Sequence, residues 1–181
     1  REALPHCHVL AGMVPYNVAH RGAAHFHQGS SGQLMVQSDK ALQPFLPTFI
    51  AAGIPLQCRK DMREVQAGKL LLNLNNALNA LADIPLRDQI SDRNWRRCLA
   101  LAQSEALAVF RAAAISPAKV TPLPCAWLPY LMRLPTPIFT RVAGRMLKID
   151  PHARSSMWDD LQAGRATEID VIQGEIVCLG K

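Results

Sequence analysis

The stretch DMREVQAGKLLLNLNNALNALA, residues 61–82, decides how this chain is read. It holds no proline, and Leu70, Leu71, Leu74, Leu78 and Leu81 form a broad apolar stripe at helical spacing. The spacing predicts a long helix from Asp61 to about Ala82, stopped by Asp83-Ile84-Pro85. Four asparagines lie inside it. Asparagine is a poor helix former, because its amide competes for backbone partners. On a regular helix Lys69, Asn73, Asn76 and Ala80 fall within about 60° of one another. A cation and two amides then share one stripe beside a small residue. That pattern suits a polar site, with Lys69 as charge or proton donor and the amides as orienting groups. A solvated helix face is the competing reading. Asn75 and Asn79 point elsewhere, toward solvent or a neighbouring helix.

Toward the N-terminus the chain reads as strands and turns. The apolar run His8–Val14, ended by Pro15, predicts a buried strand. His25–Gln28 and Gln33–Val36, joined by Gly29-Ser30-Ser31-Gly32, predict a hairpin. Asp39 is placed to cap a helix to about Ala52, ended by Gly53, although Pro44 and Pro47 lie within it. Ile54–Cys58 predicts a further short strand.

Toward the C-terminus a second long helix is expected from Asp92 to about Ile115, with Ser91 as its cap. The proline-rich stretch from Pro117 to Pro137 predicts a packed, kinked connection with short helical pieces. Ser156 with Asp159 resembles a capping box before a helix that Gly164 ends. Thr167 with Asp170 repeats the pattern before a helix toward Cys178. The expected fold class is α+β: a β-rich part at 1–60, then a mainly α-helical domain at 61–181.

Composition narrows the function classes. Of 181 residues 49% are apolar and 19% charged, so a sizeable core can form and global disorder is excluded. Twenty Lys and Arg against fourteen Asp and Glu leave a net charge of +6, which favours anionic partners. The five cysteines are scattered, with no CxxC pair, and read as reduced thiols. REALPHCHVL is not a signal peptide, and no uninterrupted apolar run reaches about 18 residues. A cytoplasmic protein without membrane contact is expected.

His20, His25 and His27 cluster, and His25 and His27 share one strand face, but no acidic or cysteine partner is near. No metal is expected. No cysteine adjoins an evident base or helix start, so a thiol nucleophile is disfavoured. Arg93, Arg96 and Arg97, and Arg141, Arg145 and Lys148, form basic clusters. With two tyrosines and no binding motif, solvated faces are the better reading, and no nucleic-acid partner is expected.

Two distant segments combine into a resemblance. KLLLN from Lys69, followed by further asparagines, and SSMWDDLQAGRATEIDVIQGEIV from Ser155 resemble the 2-dehydropantoate 2-reductase (ketopantoate reductase) family. GMVPYNVAHRGAAHFHQGSSGQL from Gly12 resembles the end of that family's nucleotide-binding domain. Taken alone, Ser156 and Glu168 read as a cap and a first-turn acid of two helices.

The resemblance implies more. Residues 1–60 would be the remnant of an NADP-binding Rossmann-type domain. Residues 61–181 would be a helical substrate-binding and catalytic domain, like the C-terminal part of 6-phosphogluconate dehydrogenase. Family members reduce the ketone of a 2-oxo acid with NADPH. Lys69 matches the catalytic lysine that donates a proton to, or polarises, the carbonyl oxygen. Glu168 matches the acid that engages the substrate hydroxyl and the lysine. Asn73 matches a positioning asparagine, Ser156 a carboxylate binder and Asp160 a supporting acid.

The family commonly spaces its two helix asparagines N-x-x-x-N. Here Ala77 takes the second place and Asn76 substitutes for it. Ile84-Pro85-Leu86-Arg87 stands where a further asparagine is expected. These departures bear on which 2-oxo acid fits, not on ketone reduction. No GxGxxG occurs in the sequence, and Gly29–Gly32 lacks a following helix. The resemblance implies a chain truncated at both ends and inactive alone. It allows a homodimer. A non-catalytic helical dimerisation scaffold is the main alternative, and a basic polyanion-binding module a lesser one.

Overall fold

The leucine-rich helix forms, but not as one rod. The structure is a computed structural model describing residues 5–16, 18–20, 22–28, 32–144 and 150–181, the side chains of 18–20 and 28 excepted. Its helical part begins with α2 (Met62–Asn73) and α3 (Asn75–Ala82), separated at Leu74. Neither glycine nor proline causes this break. Two glutamines, Gln103 buried and Gln173 half-buried, reach the carbonyls around it: Gln103 Nε2 donates to Leu71 O at 3.5 Å and Gln173 Nε2 to Leu74 O at 3.2 Å. Leu74 itself keeps right-handed helical backbone angles, φ −53° and ψ −24°, so the break is one residue long. The residues expected on one face are therefore divided between two helices, Lys69 and Asn73 on α2 and Asn76 and Ala80 on α3. Leu71 and Leu74 are buried as the stripe requires, but Leu81 is 78% exposed.

The β part precedes α2. β1 (Gly12–Met13), β4 (Leu34–Gln37) and β5 (Leu56–Arg59) form a sheet in the order β1-β4-β5. β2 (Val18–His20) and β3 (Phe26–Gln28) form a separate antiparallel pair. The expected hairpin between 25–28 and 33–36 is thus not made. β3 turns back onto β2, while β4 pairs antiparallel with β1 and parallel with β5. A parallel pair needs a crossover, and residues 40–51 provide it: a 3₁₀ turn at Lys40–Phe45 and α1 (Leu46–Ala51). Asp39 caps that stretch as expected, accepting from the Ala41 N–H at 2.8 Å. Gly53 leaves it at φ +73°, where a side chain would be strained.

After α3, Asp83 turns the chain in the left-handed region at φ 50°. Then follow α4 (Leu86–Ser91) and α5 (Arg93–Ala112). Asp92, not Ser91, caps α5, accepting from the Asn94 and Trp95 N–H groups. Ser91 is still helical, and its hydroxyl donates to Arg87 O. The proline-rich region yields α6 (Leu128–Arg133) and α7 (Thr136–Val142), each with proline in its first turn, where no intrahelical N–H is needed. α8 (Ser156–Gln162) and α9 (Ile169–Leu179) complete the chain. Ser155, one residue before the expected cap, accepts from the Trp158 N–H. No side chain caps α9, whose preceding residue is Glu168.

The main core is helical and centres on Leu71, Leu74, Ala100, Phe110, Leu128 and Phe139. A smaller cluster of Met13, Met62 and Val65 ties β1 to the start of α2. Arg96, expected on a solvated basic face, is fully buried instead. Its guanidinium donates to the carbonyls of Ile90, Ser91, Met132 and Leu134 and to Thr136 Oγ1. It also lies 4.2 Å from the Phe139 ring centroid. Multiple acceptors explain how a charge can be buried here. The architecture is α+β, with a small mixed sheet and a mainly helical C-terminal part.

Candidate active site

α2 carries Lys69 and Asn73 one turn apart on its last two turns. Gly68, beside Lys69, lets the 117–120 segment lie against the helix. A Cβ there would overlap the Ala118 carbonyl oxygen and lie 3.3 Å from both Val120 methyls. The segment is fastened by the Ala118 N–H to Glu64 O, 2.8 Å. Lys69 is half-buried. Burial holds its pKa below the ordinary lysine value, because the desolvated charge is disfavoured. It makes no hydrogen bond or ion pair among the described residues.

Glu168 sits immediately before α9, where its carbonyl accepts from the Val171 and Ile172 N–H groups. The α2 and α9 residues meet around a cavity of about 320 Å³. Lys69, Asn73, Gln66 and Glu168 supply its polar groups; Leu70, Val171 and Ile172 flank them, and Gly12–Val14 close one side. An unpaired, partly desolvated ammonium favours an anion or a developing oxyanion beside it. The volume suits a small molecule.

The other candidates stand outside this lining. Asn76 is half-buried on α3, and its carbonyl accepts from Ser155 Oγ at 3.0 Å. Ser156 is exposed in the first turn of α8. Asp160 accepts from Arg165 Nε at 2.8 Å, across the turn that ends α8. Asn79, by contrast, is completely buried and interhelical: its Oδ1 accepts from the Ser155 N–H, and its Nδ2 donates to Ile84 O and Gln89 Oε1. Gln89 Nε2 donates in turn to Asn75 Oδ1. Half of the asparagine cluster therefore docks α4 and α8 onto α3.

Sequence reasoning missed Gln66, Val171 and Ile172, and the part played by residues 12–14. Gln66 lies three residues before Lys69, so helical spacing could have found it. No local signal marks a strand more than fifty residues upstream as a cavity wall.

Of the metal candidates, the His20 side chain lies outside the described residues, and His25 and His27 are exposed. Among the described residues no three metal-ligating side chains gather. Of the basic clusters, Arg145 and Lys148 lie outside the described residues. No described helix is long and apolar enough to cross a membrane.

Residues 61–181 match the family model described as the ketopantoate reductase PanE/ApbA C terminal. Among solved structures, the chain is similar to a PanE/ApbA family ketopantoate reductase from Ralstonia eutropha JMP134. Identity is 25% and the TM-score 0.71, over 94% of this chain and 52% of that one. A dimeric ketopantoate reductase from Staphylococcus aureus shares its fold, with 17% identity and a TM-score of 0.74, over 98% of this chain and 56% of that one. So does a D-mandelate dehydrogenase solved with NADH and anilino(oxo)acetate, at 18% identity and a TM-score of 0.66, over 93% of this chain and 52% of that one. The chain thus spans about half the length of these proteins. No curated protein sequence gives a significant match.

Proposed function

This chain belongs to the ketopantoate reductase PanE/ApbA family through its C-terminal region, and from that membership we propose that it supplies the substrate-binding and catalytic half of an NADPH-dependent reductase of 2-oxo acids. The observation that carries the proposal is the cavity joining Lys69, Asn73 and Glu168. Within it residues 1–60 are the end of a nucleotide-binding domain and residues 61–181 the substrate domain. No GxGxxG is present in the sequence, so these residues fit the reacting end of the cofactor and not its pyrophosphate. A reduced nicotinamide supplies the hydride when bound.

The protein groups do the rest. As the carbonyl carbon is reduced, negative charge builds on its oxygen. The Lys69 ammonium stabilises that charge and delivers the proton that makes the alcohol. Its lowered pKa helps, because a desolvated ammonium gives up its proton more readily. Asn73, one turn on, orients the carbonyl group. Glu168 accepts a hydrogen bond from the substrate hydroxyl, and Lys69 recovers its proton from solvent after the alcohol forms. Ser156 and Asp160 keep the roles the family resemblance gives them, carboxylate binding and support, from α8. Asn76 positions substrate from α3. Ketopantoate or a related 2-oxo acid is the substrate. Association with a second copy belongs to the same proposal, since Leu101, Trp127 and Tyr130 leave apolar surface exposed on the α5–α6 side.

The test is to join the chain to a nucleotide-binding domain of this family and follow NADPH oxidation with a panel of 2-oxo acids. Turnover of at least one 2-oxo acid is expected, and Lys69→Ala should lower kcat/KM by about 10²–10⁴-fold. An unchanged kcat/KM would refute the proton-donor role. A folded fusion that reduces no 2-oxo acid would favour the non-catalytic scaffold.

A further inference from the structure

A larger cavity, about 760 Å³, lies between α2–α3, α5, α6 and the end of α7. It shares no lining residue with the Lys69 cavity. Its walls are mostly apolar, with Leu72, Ile90, Leu99, Leu123, Leu128 and Met132 prominent. Its size falls within the range of small-molecule sites, about 300–1,000 Å³.

Four polar side chains break the apolar lining; Asn75 and Thr121 already have hydrogen-bond partners, which leaves Gln103 and Arg141. Gln103 is 2% exposed, and its Oε1 has no hydrogen-bond partner among the described residues. An acceptor desolvated and left unpaired is costly, and a ligand that brings a donor removes the cost. Arg141 also lines the cavity, is exposed, and makes no ion pair among the described residues. A guanidinium beside an apolar cavity is suited to an anionic head group.

We propose that this cavity binds a small, mainly apolar acid that carries a hydroxyl or N–H donor. The apolar body lies against the leucines, the donor meets Gln103 Oε1, and the anionic group pairs with Arg141. A neutral hydrocarbon would leave both polar groups unanswered. A sugar or nucleotide would strand its hydroxyls against leucine. The site is independent of the redox reading, because none of its residues belongs to the Lys69 cavity.

The probe is anilinonaphthalene sulfonate, which combines aromatic rings, one bridging N–H and one sulfonate. Titrated into this chain, it should give a saturable, single-site fluorescence rise that ω-hydroxydecanoate reverses. Arg141→Ala, at an exposed position that leaves the core untouched, should weaken the probe about tenfold. Leu123→Trp, which fills the cavity, should abolish the site, with circular dichroism reporting the fold. Lys69→Ala should leave the affinity unchanged. The proposal is overturned by a response that does not saturate, by unchanged affinity in Arg141→Ala, or by loss of binding in Lys69→Ala.

Discussion

Lys69 is half-buried with no carboxylate paired to it among the described residues, and burial lowers its pKa below 10.5. As proton donor it must be protonated, so kcat/KM in the fused enzyme should fall as pH rises through this lowered value. A pH–rate profile should show a basic limb below the ordinary lysine pKa, and Lys69→Ala should lack it. Stability carries the opposite sign. Between the folded pKa and 10.5 the unfolded chain binds more protons than the folded one, so stability rises with pH across that window. Urea denaturation at several pH values checks this. The neighbouring Gly68 is equally constrained, because a Cβ there meets the Ala118 backbone, which cannot swing aside like a flexible side chain. Gly68→Ala should destabilise by about 1–3 kcal/mol, read as a lower Tm.

At the scale of elements, the break between α2 and α3 is the informative feature. Gln173 on α9 donates to Leu74 O, and thereby links the helix that follows Glu168 to the helix end that carries Asn73. Gln173→Leu removes the donor from a buried carbonyl and should cost about 1–3 kcal/mol in a urea melt. Sequence periodicity foretold the helical content of residues 61–82 and the stop at Asp83. It missed the break, because the partners of Leu71 and Leu74 lie 32 and 99 residues away. The caps show the same limit at short range. Of the adjacent serines 155 and 156, the one engaged by Asn79 and Asn76 on another helix became the cap. The β3 strand was found, but its partner was not: two strands of similar pattern competed for it, and pairing depends on how the chain closes.

For the whole molecule, Arg96 joins α4, α5, α6 and α7 through one buried guanidinium. Arg96→Met leaves several carbonyls without a donor and should cost about 3 kcal/mol or more in denaturant unfolding. Lysine would not rescue it, since a point charge cannot span the same acceptors. Composition could not reveal this, because a buried arginine and a solvated one look alike in sequence. The sequence by itself determined the helical content, the apolar faces and the family, since these rest on periodicity and on motifs contiguous in the chain. Tertiary structure alone decided the strand pairing, the split of the asparagine helix, the burial of Arg96 and Asn79, and the meeting of residues 12–14, 66–73 and 168–172 around one cavity. The reason is physical: local preferences act within a few residues, whereas these features are fixed by contacts that exist only after distant segments pack together.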